Sequence, residues 1–294
     1  MEAGPLLALV TSGAWTSIAL LTRGAKGLES ESLAEPAGAE QSRRLLAMIG
    51  ELLGDRPLDT LGAIAFDEGP GAFTGLRIGC AVAQGLGFAS GLPLVPVGSL
   101  EAAAWRALRA AEAPEAVVLV ANDARMGELY VSVCVVRAPD RPGDGPSVRT
   151  LVEPRVVPLR APSRDLSCPS IETRYPELAG RRWLVAGDAW RGVGLDDDWL
   201  ALARPAGEPG QEGAGRSDPE RAGQAGPDVG LEAAGPADAR SVAELAWTLW
   251  QDGGALAAED AAPRYVRDKV ALDVDEQRRL REGRLAPGST RELA

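Results

Sequence analysis

Residues 67–91, DEGPGAFTGLRIGCAVAQGLGFASG, decide the fold of this chain. They follow the apolar run 61–66, LGAIAF, which is short and predicts a buried strand. The triplet GPG at 69–71 predicts a tight turn. A helical pattern then begins at Phe73, and Thr74 stands where its hydroxyl can cap free backbone N–H groups. The stretch therefore predicts a strand, a turn and a long helix in immediate succession.

Small residues recur every four positions along this predicted helix, at Gly75, Gly79, Ala83 and Gly87. We call them the small-residue seam. Each glycine inside a helix costs about 1 kcal/mol relative to alanine, so three on one face indicate that another backbone comes close. That backbone belongs either to the protein's own sheet or to a partner. A partner in the seam predicts that Gly79→Leu or Ala83→Arg abolishes the pairing and leaves the monomer folded.

A second amphipathic helix is predicted at 40–53. Its apolar side chains follow the i, i+3, i+4, i+7, i+8 spacing of a single helix face. They are Leu45, Met48, Ile49, Leu52 and Leu53. We expect this face to pack on a sheet, while the edge of the helix beside the small-residue seam stays available to another protein.

Four segments of the chain resemble the TsaB (YeaZ) family. The longest and most specific is GPGAFTGLRIGCAVAQGLG at 69–87, which continues into PLVPVGSL at 93–100. DARMGELY at 123–130 is moderately specific, and PRYVRDKV at 263–270 is a weak match. The resemblance implies an α/β chain with the actin-like ASKHA (ribonuclease H-like) fold, in which two lobes carry mixed sheets and flanking helices.

The same resemblance implies a non-catalytic scaffold subunit. Proteins similar to this chain bind and support a catalytic paralogue, TsaD, and act with the ATPase TsaE. Together they place a threonylcarbamoyl group on the adenosine next to the anticodon of tRNAs that read codons beginning with A. The resemblance implies no cofactor of the chain's own, with ATP or ADP belonging to the complex. A homodimer through the same helices is the alternative assembly, and tRNA is expected to bind only through the complex.

The partner contact that the resemblance implies maps to the two predicted helices. Its residues are Leu45, Leu46, Ile49, Leu53, Thr74, Gly75, Ile78, Gly79, Val82, Ala83 and Leu86. The family motif turn consists of Gly69, Pro70, Gly71, Phe73 and Arg77. The second motif consists of Asp123, Arg125, Gly127, Glu128 and Tyr130. No catalytic residue and no metal ligand is expected.

The domain organisation is predicted from element order and composition. Residues 1–113 are expected to form the first lobe, and 114–272 a smaller second lobe. Residues 204–240 are rich in Gly, Pro, Ala, Glu and Asp and nearly lack large apolar side chains, so this insertion is predicted to be disordered. A helix capped by Ser241 is predicted to follow, and the tail 273–294 is charged.

Two turns have the composition of phosphate-binding loops. Residues 11–13, TSG, follow the first predicted strand, but the family usually has an aspartate where Val10 stands, so a plain hairpin turn is favoured. The GPG turn precedes a helix N-terminus, which is a natural anion site, and Arg77 is a nearby cation. It lacks the Lys-Ser/Thr ending of a Walker A loop, and a structural turn is favoured there too.

The charged residues of the second motif have two interpretations. Asp123, Arg125 and Glu128 fall in a predicted connection between two strands, at 123–128. They resemble a catalytic group, but three charged residues in a turn are more typical of a local salt-bridge network. An enzyme, either an ASKHA-type ATPase or kinase or a glycoprotease-like peptidase, remains the competing hypothesis for the whole chain.

Composition argues against several of these enzyme classes. Histidine is absent, which removes histidine metal sites and Ser-His-Asp triads. Cys80, Cys134 and Cys168 are too scattered to indicate a disulfide framework. The net charge of −11 and the aromatic content of 4% argue against unaided tRNA binding, because Lys and Arg neutralise phosphates and aromatic rings stack on bases.

A cytoplasmic, membrane-free protein is expected. The first residues lack the basic region, apolar core and cleavage site of a signal peptide. No apolar run approaches the ~20 residues that a bilayer crossing needs.

Overall fold

The computed structural model describes residues 4–192, 195, 197–203 and 235–266. One sheet contains β1 (Leu6–Val10), β2 (Trp15–Gly24), β3 (Gly27–Pro36), β4 (Ala63–Gly69) and β5 (Leu94–Gly98). The other contains β6 (Glu115–Arg125), β7 (Glu128–Arg137), β8 (Ser147–Pro158) and β9 (Trp183–Ala186). The helices are α1 (Gln41–Leu53), α2 (Phe73–Ser90), α3 (Ser99–Ala110), α4 (Cys168–Arg174), α5 (Ala189–Gly192), α6 (Asp197–Leu202) and α7 (Ala239–Gln251).

The two sheets share one plan. The first has the order β3-β2-β1-β4-β5, in which β1, β2 and β3 are antiparallel neighbours and β4 and β5 are added in parallel. The second has the order β8-β7-β6-β9, with an antiparallel trio and β9 added in parallel. Both sheets are mixed and carry helices, so the predicted α/β class is confirmed.

Helix α3 can lie close to both sheets because many of its own buried side chains are small. Its alanines Ala102, Ala103, Ala104 and Ala107 are fully buried in a core that includes residues of both sheets and of α7. Helix α7 packs against β1 and β2 of the first sheet, although it falls within 114–272. The last described helix of the chain thus returns to the lobe in which the chain begins.

Glu244 fastens α7 to α3. Its carboxylate is almost completely buried, accepts a hydrogen bond of 2.6 Å from Trp105 Nε1 and pairs with Arg109. Arg240 pairs with the same carboxylate from one turn earlier in α7, at 2.9 Å. Because a buried charge is stable only when it is paired and hydrogen-bonded, these contacts fix the helix in place.

Helix α7 also corrects the predicted boundary of the insertion. It begins at Ala239, within the segment predicted to be disordered, and its N-cap is Asp238, whose Oδ1 accepts from the amide of Ser241 at 2.7 Å. The predicted cap at Ser241 is therefore wrong. The rest of the insertion, 204–234, and the tail 273–294 lie outside the described residues.

The hairpin β6–β7 is longer than predicted. The strands continue to Arg125 and Glu128, so the predicted connection at 123–128 is wrong and the loop is only Met126-Gly127. Both loop residues have left-handed backbone, with φ of 59° and 75°. A two-residue type I′ turn requires this conformation, and its twist matches that of the strands.

Within the described ranges, no helix combines the length and the apolar character that a bilayer crossing requires.

Candidate functional site

The small-residue seam of α2 faces the protein's own sheet. A Cβ added at Gly75 would lie 2.0 Å from the carbonyl oxygen of Thr11, and one at Gly79 would lie 2.3 Å from Thr11 Oγ1. Ala83 is fully buried, and a Cβ at Gly87 would lie 3.0 Å from Leu94 Cδ2. The close approach that the sequence predicted is real, but it is internal.

This packing corrects part of the predicted partner interface. Leu45, Ile49, Gly75, Gly79 and Ala83 are covered by the protein itself, so the prediction that they contact a partner is wrong. Substitutions at Gly79 or Ala83 are accordingly expected to disturb the monomer itself.

The remaining predicted interface residues have accessible side chains. Leu46 is 53% exposed, and Phe88, which was not predicted, is 63% exposed. We define the α1–α2 surface as Leu46, Leu53, Thr74, Ile78, Val82, Leu86 and Phe88, all of them exposed or half-buried. For this surface the partner contact stays a prediction.

Helix α2 begins without a side-chain cap. Its N-cap is Ala72, and Thr74 is exposed, so the predicted cap at Thr74 is wrong. The amide of Ala72 donates to the carbonyl oxygen of Ser12 at 2.8 Å, which joins the helix start to the β1–β2 turn.

The side chain of Asp67, in β4, is hydrogen-bonded to the backbone of the β1–β2 turn. Its two carboxylate oxygens accept hydrogen bonds of 3.1 Å from the amides of Thr11 and Ser12. Thr11 Oγ1 donates to the carbonyl oxygen of Gly75 at 2.8 Å, and Gln41 Nε2 donates to the carbonyl oxygen of Thr11 at 3.1 Å. The turn is therefore joined to β4, α1 and α2 through its own polar groups.

The environment of Asp67 also changes its acidity. The residue is fully buried, and this desolvation raises the pKa of its carboxyl to about 6, because hydrogen bonds from Ser12 and Thr11 offset only part of the penalty on the charged form. Asp67 was not singled out from the sequence, although an acidic residue directly after a buried strand was the available signal.

The GPG turn is a close-packed structural turn. Gly69 has φ of 115°, and a Cβ there would lie 2.7 Å from the carbonyl oxygen of Arg264. A Cβ at Gly71 would lie 2.5 Å from Ser12 Cβ. Both glycines are needed because two other segments come within contact distance, which agrees with the structural interpretation of this turn.

Arg77 is directed at aromatic rings. Its guanidinium lies 3.8 Å from the centre of the Phe73 ring, a cation–π contact, and its Nε donates to Tyr265 Oη at 3.0 Å. The rings of Phe73 and Tyr265 are 5.2 Å apart. This cluster joins the family motif turn to residues 261–266, which we call the C-terminal segment, a contact that the sequence did not predict.

A cleft with a volume of about 310 Å³ opens between the two sheets. Its lining comes from the β1–β2 turn, the β4–α2 turn, the start of α3, the β6–β7 hairpin, the turn after β9, residues 236–237 and the C-terminal segment. The lining side chains include Ser12, Phe73, Ser99, Asn122, Asp123, Arg125, Met126, Tyr130, Asp188, Arg264 and Tyr265. The fold thus brings the family motif turn and most of the second motif to one place.

Two of the three charged residues of the second motif form the local ion pair that the sequence favoured. Arg125 Nη1 pairs with Asp123 Oδ2 at 3.0 Å. The amide of Asp123 donates to Asp188 Oδ1 at 2.8 Å, and the amide of Asp188 donates to Asn122 Oδ1 at 3.1 Å. Glu128 stands at the start of β7. Burial raises the pKa of Asp188, a cleft residue that the sequence did not single out.

Two mixed sheets of the same plan, with a helix between them and a cleft at their junction, define a protein of the actin-like ASKHA class. A solved structure described as an uncharacterized protein with similarity to peptidase YEAZ, from Pseudomonas aeruginosa, has a TM-score of 0.61 and 30% identity, covering 90% of this chain and all of the other. Residues 34–137 match the family model for TsaD, tRNA N6-adenosine threonylcarbamoyltransferase.

Sequence relatives give the family its name. The tRNA threonylcarbamoyladenosine biosynthesis protein TsaB of Haemophilus influenzae is 42% identical over 132 residues, which span 44% of this chain and only about half, 53%, of that protein. TsaB of Escherichia coli is 29% identical over 234 residues, 79% of this chain and 83% of that protein. The chain belongs to the TsaB (YeaZ) family of tRNA threonylcarbamoyladenosine biosynthesis proteins.

Proposed function

We propose that this chain is a non-catalytic subunit in the synthesis of threonylcarbamoyladenosine in tRNA, and that it binds and supports a TsaD-type catalytic paralogue. The names of the TsaB relatives support the pathway. The match of residues 34–137 to the TsaD family model supports a partner of related fold, because paralogous surfaces are suited to pair with each other.

The α1–α2 surface carries the proposal. Leu46 and Phe88 are large apolar side chains that are more than half exposed on neighbouring helices, and Ile78, Val82 and Leu86 are partly buried against the core. Large apolar side chains exposed on two neighbouring helices are suited to a protein interaction site. Covering them on association is favourable by roughly 25 cal/mol for each Å² of apolar area.

The phosphate-binding elements of the fold are occupied by the protein itself, which supports a non-catalytic role. The amides of Thr11 and Ser12 donate to Asp67, and the hydroxyl of Thr11 donates to Gly75. Among the neighbouring cations, Arg77 contacts Phe73 and Tyr265. An ATPase or kinase needs such donors for its phosphates.

The other proposed partners are tRNA, a TsaE-type ATPase and a second copy of the chain. A net charge of −11 disfavours direct binding to phosphate backbone, so tRNA reaches this chain through the complex. A TsaE-type ATPase then supplies ATP chemistry to the assembly, and this chain needs no cofactor of its own. In the absence of the paralogue, the α1–α2 surface is suited to a second copy of the chain.

Co-purification of the full chain with the TsaD-type protein of the same organism tests the proposal. Leu46→Asp and Phe88→Asp each place a charge on the α1–α2 surface and are expected to abolish co-purification. Leu249→Asp is the matched control, because Leu249 is 40% exposed on α7, and it should leave pairing intact. Thermal melts of the three variants verify that each is folded.

Sedimentation and an activity assay complete the test. We expect the wild-type chain to sediment as one species with the paralogue, and to stimulate tRNA modification only in its presence. Pairing that survives both α1–α2 variants overturns the interface. Tight Mg-ATP binding with turnover by the isolated chain overturns the non-catalytic role.

A further inference from the structure

We propose that residues 256–266, which we call the strap, lift from helix α2 as a unit while the rest of the chain stays folded, and that Arg264 is the side chain that holds the strap closed. This conformational device goes beyond the scaffold role, which needs no moving part. It depends on how little of the strap is buried, on the polar contacts that attach it to α2, and on the carboxylates that surround Arg264.

The strap lies along α2 and is attached to it by polar contacts. At its beginning, Leu256 exchanges two backbone hydrogen bonds with Leu94 of β5, at 2.7 and 2.9 Å. In its middle, Gln84 Nε2 donates to the carbonyl oxygens of Ala258 and Ala261, at 3.1 and 3.0 Å. Its last residues reach the first turn of α2 through the aromatic cluster described above. The strap therefore covers one flank of α2 over most of the length of the helix.

The strap buries little apolar surface. Ala258 and Ala261 are its buried residues, and each contributes a single methyl group to the core. Its bulkiest apolar side chains, those of Leu256 and Tyr265, are 37% and 46% exposed. A segment with few buried apolar contacts opens locally at a much lower free energy than the whole protein unfolds. We therefore expect the strap to open well before the sheets and helices beneath it.

Arg264 is the residue of the strap that faces several carboxylates. Its guanidinium pairs with Glu153 of β8 at 2.8 Å and lies 3.9 Å from a carboxylate oxygen of Glu68 in β4. Its amide donates to the carbonyl oxygen of Glu68 at 2.7 Å. The carboxyl of Glu101, in the first turn of α3, also interacts electrostatically with Arg264. The strap thus brings one positive charge to carboxylates of three different elements.

The two shielded carboxylates decide how strongly Arg264 holds the strap. The side chain of Glu153 is 75% exposed, so its ion pair contributes little. The side chain of Glu68 is 23% exposed, and Oε2 of Glu101 is buried with no hydrogen-bond partner among the described residues. Burial raises the pKa of both groups, and the charge of Arg264 opposes each rise. Without Arg264, two neighbouring carboxylates would repel each other away from water, and opening of the strap would relieve that repulsion.

The reactivity of a native thiol tests whether the strap opens. Cys80 of α2 is 4% exposed, and its Sγ lies 3.7 Å from the carbonyl oxygen of Ala261, so the closed strap covers it. The folded full-length chain is treated with a pyridyl disulfide reagent at increasing urea concentrations below the unfolding transition, and mass spectrometry identifies each modified cysteine. The dependence on urea reports how much surface an opening exposes. We expect a slope for Cys80 below half of the global m-value, and the full global slope for Cys134, which is fully buried in β7. A global slope for Cys80 overturns the proposal.

Variants then test the role of Arg264. Arg264→Gln removes the charge and should speed the modification of Cys80 at least tenfold. Addition of Glu101→Gln to that variant removes a carboxylate that has lost its partner, and should slow the reaction again at least threefold. Arg149→Gln is the matched control, because the pair of Arg149 with Glu177, at 3.3 Å, is exposed, and it should react as the wild type does. Equal rates in Arg264→Gln and the wild type overturn the assigned role of Arg264, and so does a double variant that reacts as fast as Arg264→Gln.

The strap and the scaffold role fail separately. The urea dependence is measured on the isolated wild-type chain, so it needs neither a variant that folds nor the paralogue. Phe88→Asp should lose the paralogue and keep the slow reaction of Cys80, and Arg264→Gln should speed that reaction and keep the paralogue.

Discussion

The carboxylate of Asp67 accepts a hydrogen bond from the amide of Thr11 at 3.1 Å and thereby occupies a donor that a phosphate-binding turn would offer to its ligand. Its second oxygen takes the amide of Ser12 at the same distance. The residue is fully buried, and both amides lie at a turn that also contacts α1 and α2. The Asp67 side chain therefore fixes, from β4, the turn to which both helices of the α1–α2 surface are hydrogen-bonded.

Asp67→Ala should destabilise the protein. The change leaves the amides of Thr11 and Ser12 without their acceptor, and each unsatisfied buried donor costs about 1–3 kcal/mol. We expect a loss of at least about 2 kcal/mol in the free energy of unfolding at pH 5, measured by urea denaturation. Asp59→Ala removes an exposed carboxylate and should change stability little; an equal loss in both variants would contradict the assigned role.

The pH dependence of stability should report the same carboxyl group. The pKa of Asp67 is about 6 in the folded protein, above the value of 3.8 for an unperturbed aspartate, so between these values the folded state binds more protons than the unfolded state. The contribution to stability is therefore complete below about pH 4 and is lost as the pH rises through about 6. Between pH 5 and pH 8 the wild type should lose about 1 kcal/mol relative to Asp67→Ala.

The difference in stability between the wild type and Asp67→Ala isolates the contribution of the Asp67 carboxyl. Glu68, Glu101 and Asp188 also have pKa values raised chiefly by burial, but they titrate in the wild type and in the variant alike. Urea denaturation at several pH values gives the difference directly. A constant difference across this range would show that Asp67 keeps an ordinary pKa.

Alanine substitutions at two glycines of α2 should show which glycine is packed against the protein and which is exposed. Gly75→Ala would place a Cβ 2.0 Å from the carbonyl oxygen of Thr11, and the backbone there cannot move aside cheaply. We expect a loss of more than about 2 kcal/mol, the range of overpacked cores. Gly85→Ala is the control on the same helix, since it is exposed with no atom within 4 Å, and it should stabilise by about 0.5–1 kcal/mol.

Thermal unfolding of these two variants distinguishes the possibilities for the seam. A folded Gly75→Ala monomer that has lost only its partner would restore the seam as a docking groove. Opposite shifts of the melting temperature in the two variants would confirm that the seam packs internally.

The strand, turn and helix of 61–90 could be predicted from sequence because each depends on local signals. The apolar run, the GPG triplet and the periodicity all lie within the segment. The neighbour of the seam could not be predicted, because Thr11 lies 64 residues before Gly75 and no local pattern joins them. The sequence therefore indicated that a backbone comes close and left open which one.

The cleft could be predicted only in part, because segments that are distant in the chain form it. Its GPG turn and its DARMGELY hairpin were visible as motifs, but Asp188 and Tyr265 reach it from distant positions in the chain. From residue 148 to residue 171 the apolar residues lack a regular period, so α4 and the register of β8 were not predicted. Tertiary packing, rather than local propensity, fixes these elements.

The ends of α2 and α3 offer a matched pair of backbone substitutions. Gly91 ends α2 with φ of 69°, and Glu112 follows α3 with φ of 49°, so both occupy the left-handed conformation that usually ends a helix at glycine. A residue with a Cβ pays roughly 1–2 kcal/mol there. Glu112→Gly should therefore stabilise the protein by about 1 kcal/mol, and Gly91→Ala, which has open space around it, should destabilise it by a similar amount. Midpoints of urea denaturation with an unchanged m-value measure both effects. A loss of stability in Glu112→Gly would show instead that the Glu112 side chain makes contacts worth more than the strain.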